Sequence, residues 1–534
     1  MTLKEEKSLK TKVIENIIFM LFTLFVLLFN LFLSGCVFAS DNVVSGGYDE
    51  YNTRDFESGI TSSNIVNAYI RGNITLCGSS TSSPVVVDGI ACVTDFGGCI
   101  TCVDVDAAVP YIVWRKNITE YGFPAGYYSR ASMAYRAGKL YGATASFRSL
   151  ITPGLPGFGA WVFSIQFSNG DLIWKKQIST EVYAIVTQDL LIHDDKLFVG
   201  LSSGEAAGPL VPGYVCCQFV GSIVRLKLND GDIVWNTPFI PPALGGVGKH
   251  SGAASWGGQM IVIGKYVYTV TGQLYQHSNT TEQCLNADPT NVSCVDSAIL
   301  YDSVVKIDIK NGSIVDSFRA PYADTWNIAC LLTFLPGCQG PPSFDYDFTN
   351  IMYAKKAGRL VVSSKSGFVW FLDLNLNVIE VSAVTEGSAS GGYVWHGALR
   401  DDKCVDNGRA YLPNNNGASK NITLPNGTII NKGAWIAYNL DNEIEWITPV
   451  PNGDTAYGSM ALTNDLVLGS GRFLGQLSFM NANTGVIVKI IDTIGSMSGG
   501  AAIVGKDIIW PTGPGSLLNS ALVNQKQLLI ISVP

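Results

Sequence analysis

The 534-residue chain predicts an all-β fold. The expected architecture is an eight-bladed β-propeller of four-stranded antiparallel blades, with seven blades as the alternative. Three observations lead there. A strand–turn–strand unit recurs about seven times, a second hairpin precedes most copies, and each end of the repeat array holds a strand without a partner.

Residues 221–235 are the clearest copy. Ser222 to Leu228 alternate apolar and polar, the period of a half-buried strand. Asn229, Asp230, Gly231 and Asp232 supply turn chemistry, and a second strand ends on Trp235. The other copies lie at 98–114, 160–174, 302–315, 367–374, 433–446 and 475–487. Hairpin-like pairs precede several of them, among them 83–93, 359–364 and 501–510. The last hairpin is followed only by the single strand 527–532. Asn64 to Ile70, near the other end, reads as an orphan strand. The two are expected to meet in one blade and close the ring.

Length alone would suggest two or three domains, but a propeller absorbs it in one. Hydrophobic residues at 47%, charged residues at 15% and 56 glycines describe a large core with many turns. A net charge of −8 and no basic tract argue against nucleic-acid binding.

Lys4, Lys7, Lys10 and Lys12 precede an apolar run from Ile17 to Leu33, followed by small residues up to Ala39. Residues 1–39 therefore read as a secretory signal, or as an uncleaved anchor that is the chain's one expected membrane contact. Residues 40–534 read as the propeller. The stretch 33–36 also resembles a bacterial lipoprotein box around Cys36. Seven Asn-x-Ser/Thr sequons, at Asn73, Asn117, Asn279, Asn291, Asn311, Asn421 and Asn426, favour a eukaryotic secretory route instead. The protein is expected to be secreted or to face the outside.

Twelve cysteines suit that compartment. Cys284 with Cys294, and Cys330 with Cys338, bracket short loops and make natural pairs. Cys216 and Cys217 either bond each other or bridge to separate partners. Cys99 and Cys102 are spaced as Cys-x-x-Cys on a strand, which sends their side chains to opposite faces and disfavours a shared metal.

The repeats resemble the tryptophan-docking repeats of pyrroloquinoline quinone (PQQ) dehydrogenases, and Asn483, Thr484 and Gly485 keep much of that turn. Asn52, Thr53 and Arg54, with 60–65, resemble the amino-terminal signature of the same family. The stretches 216–222 and 322–330 look like the polyvinyl-alcohol-dehydrogenase-like subgroup. The likeness covers about residues 46–520. It implies a quinoprotein-like oxidoreductase of alcohols or sugars, with PQQ and calcium in the central channel. The rival reading is a catalytically silent propeller that binds a ligand, glycan or protein.

Carried across, the resemblance makes Trp256 the ring under the quinone and Lys365 the cation at a quinone oxygen. Glu205 and Gln273 become metal ligands, Gln273 standing where the family has Asn. Asn327 stands where the family has its catalytic Asp, and an amide is no general base. Asp324 is then either a substitute base or a loop holder. The four histidines, His193, His250, His277 and His396, are scattered; His396 either faces the channel or, as is commoner for a lone His, is a satisfied structural residue. No haem-attachment motif is present.

Overall fold

The computed structural model describes residues 42–146, 159–339, 343–388, 391–401, 408–493, 499–513 and 525–534. The signal-like stretch, Cys36 and Cys404 lie outside them. Eight four-stranded antiparallel blades follow one another at 85–117, 134–179, 191–238, 261–319, 348–383, 398–449 and 461–492, with the eighth shared between the two ends of the chain. There Ala502–Val504, Asp507–Pro511 and Gln527–Ser532 are joined by Tyr69–Thr75, which pairs antiparallel with Gln527–Ser532. Closure is as expected, but the strand begins five residues later than Asn64. Ile65–Asn67 forms a 3₁₀ turn that buries Ile65, and pairing starts only at Tyr69.

Burial falls off across each blade. In blade 1 the third strand, Cys99–Asp104, is buried almost throughout, whereas the fourth, Tyr111–Asn117, is exposed or half-buried. Inner strands are covered on both faces by neighbouring blades, so they read as continuous apolar runs. The outer strand has a free edge.

The repeat's turn glycine and closing tryptophan bind successive blades together. The indoles of Trp114, Trp174, Trp235 and Trp446 donate to the carbonyls of Phe167, Leu228, Ile309 and Ala482 in the next blade's turn. Each ring also packs on that turn's glycine, Gly170, Gly231, Gly312 or Gly485. All four have φ of 70–75°, and a Cβ on any of them would lie 2.6–2.7 Å from the ring. Gly231→Ala therefore combines left-handed strain with overpacking against Trp174. It is expected to destabilise by about 2–4 kcal/mol in urea unfolding, whereas Gly138→Ala, with open space around it, should cost only the backbone strain.

One segment touches the whole ring. Residues 43–59 pass the blades in order, at the end of the channel that carries the hairpin turns. Val43 exchanges hydrogen bonds with Val86, the Val44 carbonyl accepts from Tyr135 N, and the Glu50 carboxylate meets His193. The carbonyls of Glu50, Tyr51 and Thr53 accept from Val262, Tyr353 and Leu399. Arg54 and Phe56 bond Leu462, and Gly59 N donates to Gly505. The Asn52–Arg54 signature is the middle of this strap. Its side chains enter the channel, where Asn52 and Arg54 are fully buried. Asn52 donates to Asn350 Oδ1 and to the Ile351 carbonyl.

Ten described cysteines form five disulfides. Cys284–Cys294 and Cys330–Cys338 pair as expected, and Cys216 bonds Cys217. Cys99 and Cys102 point apart, to Cys77 and Cys92. Cys284 sits on the helix Asn279–Ala287, which belongs to a loop of blade 4. No described helix is long and apolar enough to cross a membrane.

Candidate functional site

In a propeller of this connectivity the loops between second and third strands, and those between blades, converge at one end. Here that is the end opposite the strap. Gln273 and Lys365 stand on strand-two-to-three loops of blades 4 and 5, and Glu205 on that of blade 3. Arg130, Trp256, Asp324, Asp345, Asp347 and Trp395 stand on inter-blade loops. Asp302 opens the third strand of blade 4.

Lys365 is the hub. Its ammonium donates to Asp345 Oδ1 at 2.8 Å and Asp347 Oδ2 at 2.6 Å. Gln273 binds the same two carboxylates, through Nε2 to Asp345 Oδ1 at 3.1 Å and through its backbone N to Asp347 Oδ1 at 3.0 Å. Gly272 admits this approach, since a Cβ there would lie 2.0 Å from Asp347 Oδ1. All these groups are buried. Burial would lower the Lys365 pKa, but Asp345 and Asp347 outweigh it and hold the ammonium charged. Burial pushes the carboxyl of Asp345 well up, with Asp347 adding to the rise and Lys365 opposing it.

Asp324 does another job. Its carboxylate accepts the backbone N–H groups of Phe344, Asp345 and Tyr346, at 2.7, 3.3 and 2.7 Å. It thereby clamps the loop that presents Asp345. Burial raises its pKa to about 7 although these three donors favour the charged form. Asp324→Asn offers the loop a single acceptor and turns an NH₂ toward donors. It is expected to lower unfolding free energy by about 1–3 kcal/mol, checked by denaturant melts of the purified protein.

Asp302 is fully buried, and among the described residues neither of its carboxylate oxygens has a hydrogen-bond partner. Burial, then Asp324, Asp347 and Asp345, push its pKa well up. Gln273 Oε1 is likewise buried and unpartnered. Four carboxyl groups thus share one ammonium, a balance that a bound cation would relieve.

Next to this cluster lies an aromatic wall. Trp256, half-buried, stacks on Trp395 with ring centroids 6.4 Å apart. The Arg130 guanidinium lies 5.3 Å from one ring centre and 5.5 Å from the other, and Lys365 Nζ is 5.8 Å from Trp256. Arg130 is 3% exposed, yet among the described residues its Nε and Nη1 have no hydrogen-bond partner, nor has Trp395 Nε1. A buried cation with unused donors is costly. His396, one residue on, is buried and satisfied by its neighbours. Burial and Arg54 hold its imidazole neutral, and Nδ1 accepts from Arg54 and Ser459.

Two sequence-predicted residues are engaged elsewhere. Glu205 accepts from Gln218 N, Phe219 N and the Tyr214 hydroxyl, bracing the loop of the Cys216–Cys217 bond. Asn327 caps the 3₁₀ turn Ile328–Cys330 through Ala329 N, and its Nδ2 donates to the Tyr275 and Gly337 carbonyls. Its amide is fully used in holding the Cys330–Cys338 loop. The remaining histidines bond neighbours, His193 to Glu50, His250 to Thr281 and His277 to Thr325.

No family model matches the chain. It is similar to a polyvinylalcohol dehydrogenase of a Pseudomonas species, 26% identical over 243 residues that cover 43% of this chain and 35% of that one. A polyvinylalcohol dehydrogenase of Sphingopyxis sp. (strain 113P3) is 24% identical over 392 residues, 66% of this chain and 55% of that one. The matched stretches thus span about a third and just over half of these relatives. Among solved structures, a europium-containing methanol dehydrogenase superposes with a TM-score of 0.65 at 14% identity, covering 92% of this chain and 98% of the other. A quinohemoprotein alcohol dehydrogenase from Comamonas testosteroni gives 0.65 at 15% identity, with 92% and 80% covered. The chain resembles polyvinylalcohol dehydrogenases in sequence and shares its fold with a methanol dehydrogenase and a quinohemoprotein alcohol dehydrogenase.

Within that likeness, sequence reasoning missed Asp302, Asp345 and Asp347. The available signal was Asp345-x-Asp347 directly before the first strand of blade 5, where alternation sends both carboxylates to one side. Arg130 stands in an inter-blade loop that carries no motif to single it out.

Proposed function

We propose that this protein is a quinone-dependent dehydrogenase of alcohols, with Asp345 as the group that takes the hydroxyl proton. The observation that carries the reading is Arg130, a buried guanidinium with unused donors against the faces of Trp256 and Trp395. PQQ is planar and bears carboxylates, so it suits a tryptophan face flanked by Arg130 and Lys365. When bound, it would supply the two-electron acceptor. A calcium or lanthanide ion would find its oxygen ligands in Asp302, Asp345, Asp347 and Gln273 Oε1, rather than in the engaged Glu205. The surplus of carboxylates favours the more highly charged ion.

The chain's own part in the reaction follows from the bonds already described. Asp345 Oδ1 is held by Lys365 and Gln273, which leaves Oδ2 without a hydrogen bond among the described residues. Asp324 fixes the loop and so the position of this free oxygen, where a carboxylate can accept a proton. The test is ligand binding to the purified protein. PQQ with Ca²⁺ or La³⁺ should quench Trp256 and Trp395 fluorescence and raise Tm, and Arg130→Met should weaken PQQ binding at least tenfold. No response from either protein would leave the silent binding propeller, a reading favoured by the engagement of Glu205 and Asn327 in their own loops.

We further propose a secreted or outward-facing glycoprotein. Five disulfides support this, as do the exposed positions of Asn73, Asn279, Asn311, Asn421 and Asn426; Asn117 and Asn291 are half-buried. Glycosidase treatment of native protein should increase its gel mobility.

A further inference from the structure

The loop that carries Asp345 has two faces. Asp345 and Asp347 turn inward, while Tyr346 between them turns to a groove of about 630 Å³ on the outer side. Ser366, the neighbour of Lys365, lines the same groove. The floor is the cross-strand pair Phe368 and Ala383 at the edge of blade 5. Phe368 is 38% exposed, a large ring left open where the strand is otherwise buried. Glu386, Lys420 and Asn421 form the opposite, polar rim, with Lys420 and Glu386 ion-paired across it.

Gly387 lets its loop pack directly on the Tyr346 ring and the Ser366 backbone. A Cβ on Gly387 would lie 2.5 Å from both Tyr346 Cε1 and Ser366 Cα. Tyr346 is itself held rigid, stacked on Phe344 with ring centres 4.6 Å apart and met edge-on by Tyr322 at 5.5 Å. Two fixed aromatic rings facing a carboxylate, an ammonium and a carboxamide suit a ligand with one apolar face and a rim of hydroxyls. A purely aliphatic chain would leave the charged rim unused, and a flat aromatic would leave it unpaired.

We propose that this groove is a binding subsite for a pyranose ring. It rests on the dehydrogenase reading only in its purpose, which is to hold the distal sugar of an oligosaccharide whose reacting hydroxyl is offered to Asp345. The ring's C–H face lies on Phe368 and Tyr346, and its hydroxyls bond Glu386 and Lys420. Two sources of pyranose are compatible with this chemistry, a free oligosaccharide and the chain's own glycan on Asn421.

The test uses full-length protein from a eukaryotic secretory host, without added PQQ, and measures binding of maltohexaose and cellohexaose by calorimetry. Millimolar or tighter binding to either is expected, weakened at least tenfold by Phe368→Ala and by Lys420→Ala, and unchanged by Gly138→Ala, a turn residue of blade 2 away from the groove. Equal binding by wild type and Asn421→Gln identifies a free sugar as the occupant. Binding that appears only in Asn421→Gln places the protein's own glycan in the groove. No binding by wild type or by Asn421→Gln at 10 mM sugar (roughly the weak limit of specific recognition), or binding indifferent to Phe368→Ala in a variant of unchanged Tm, overturns the proposal. Because PQQ is absent throughout, failure here leaves the PQQ and Arg130 result untouched, and the reverse holds too.

Discussion

Asp345→Asn is expected to lower PQQ-dependent alcohol oxidation by about 10²–10⁴-fold, the usual contribution of a positioned general base. The substitution keeps the shape of the side chain and removes its basicity. It also replaces an ionic partner of Lys365 by an amide, but Asp347 remains at 2.6 Å to hold the ammonium. PQQ binding, read by tryptophan quenching, should therefore fall far less than turnover, since Asp302, Asp347 and Gln273 Oε1 still offer oxygen to the cation. That split separates a base from a scaffold. Asp324→Asn should behave differently, losing stability first and turnover in proportion to loosening of the loop, with part of the activity restored at lower temperature. If Asp345→Asn turns over at the wild-type rate with PQQ bound, Asp345 is not the base.

The fold was legible because its determinants are local and repeated. The turn glycine and the closing tryptophan recur in fixed register, and the structure shows why: each Trp needs a neighbour's glycine to pack on and a carbonyl three residues before that glycine to bond. Ring closure was legible too, since an unpaired strand at each end of an array of hairpins has one economical solution. The site was harder. Its members stand on loops of blades 1, 3, 4 and 5, and their meeting depends on loop paths that no periodicity encodes. Carry-over from a related family placed Lys365 and Trp256 beside the cluster, because each is anchored close to a strand of clear register. The stretch between Trp326 and Phe348 has no strand among its described residues to fix its register. There Asn327 occupies the position after the Trp, while the acidic pair Asp345 and Asp347 comes after the disulfide loop. Composition gave no hint that Arg130 lacks a partner. An unsatisfied donor is a property of the packed chain and cannot be read from residue types.

The strap carries the other large effect. Arg54 is fully buried, bonded to Ser83 at 3.1 Å, to Asp189 at 3.3 Å and to His396. Burial lowers its pKa to about 10 although Asp189 opposes the shift, so it remains charged at neutral pH. Removing it strands Asp189 in the channel with only the Ser132 N–H at 2.7 Å. Arg54→Met is therefore expected to cost about 3–5 kcal/mol, the penalty of an uncompensated buried charge. The double variant Arg54→Met with Asp189→Asn should recover a substantial part, because the orphaned charge is gone while the strap's backbone bonds to the blades survive. Deleting residues 42–59 has no such rescue. It removes Phe56, worth about 3–5 kcal/mol if truncated, together with hydrogen bonds that tie the first strands of blades 1 to 8 into one ring. Against a typical stability of about 5–15 kcal/mol, the deleted chain should fail to fold cooperatively, while the single variant unfolds at lower urea with an unchanged m-value. An Arg54→Met midpoint equal to wild type would show that the strap's contacts in the channel do not hold the ring.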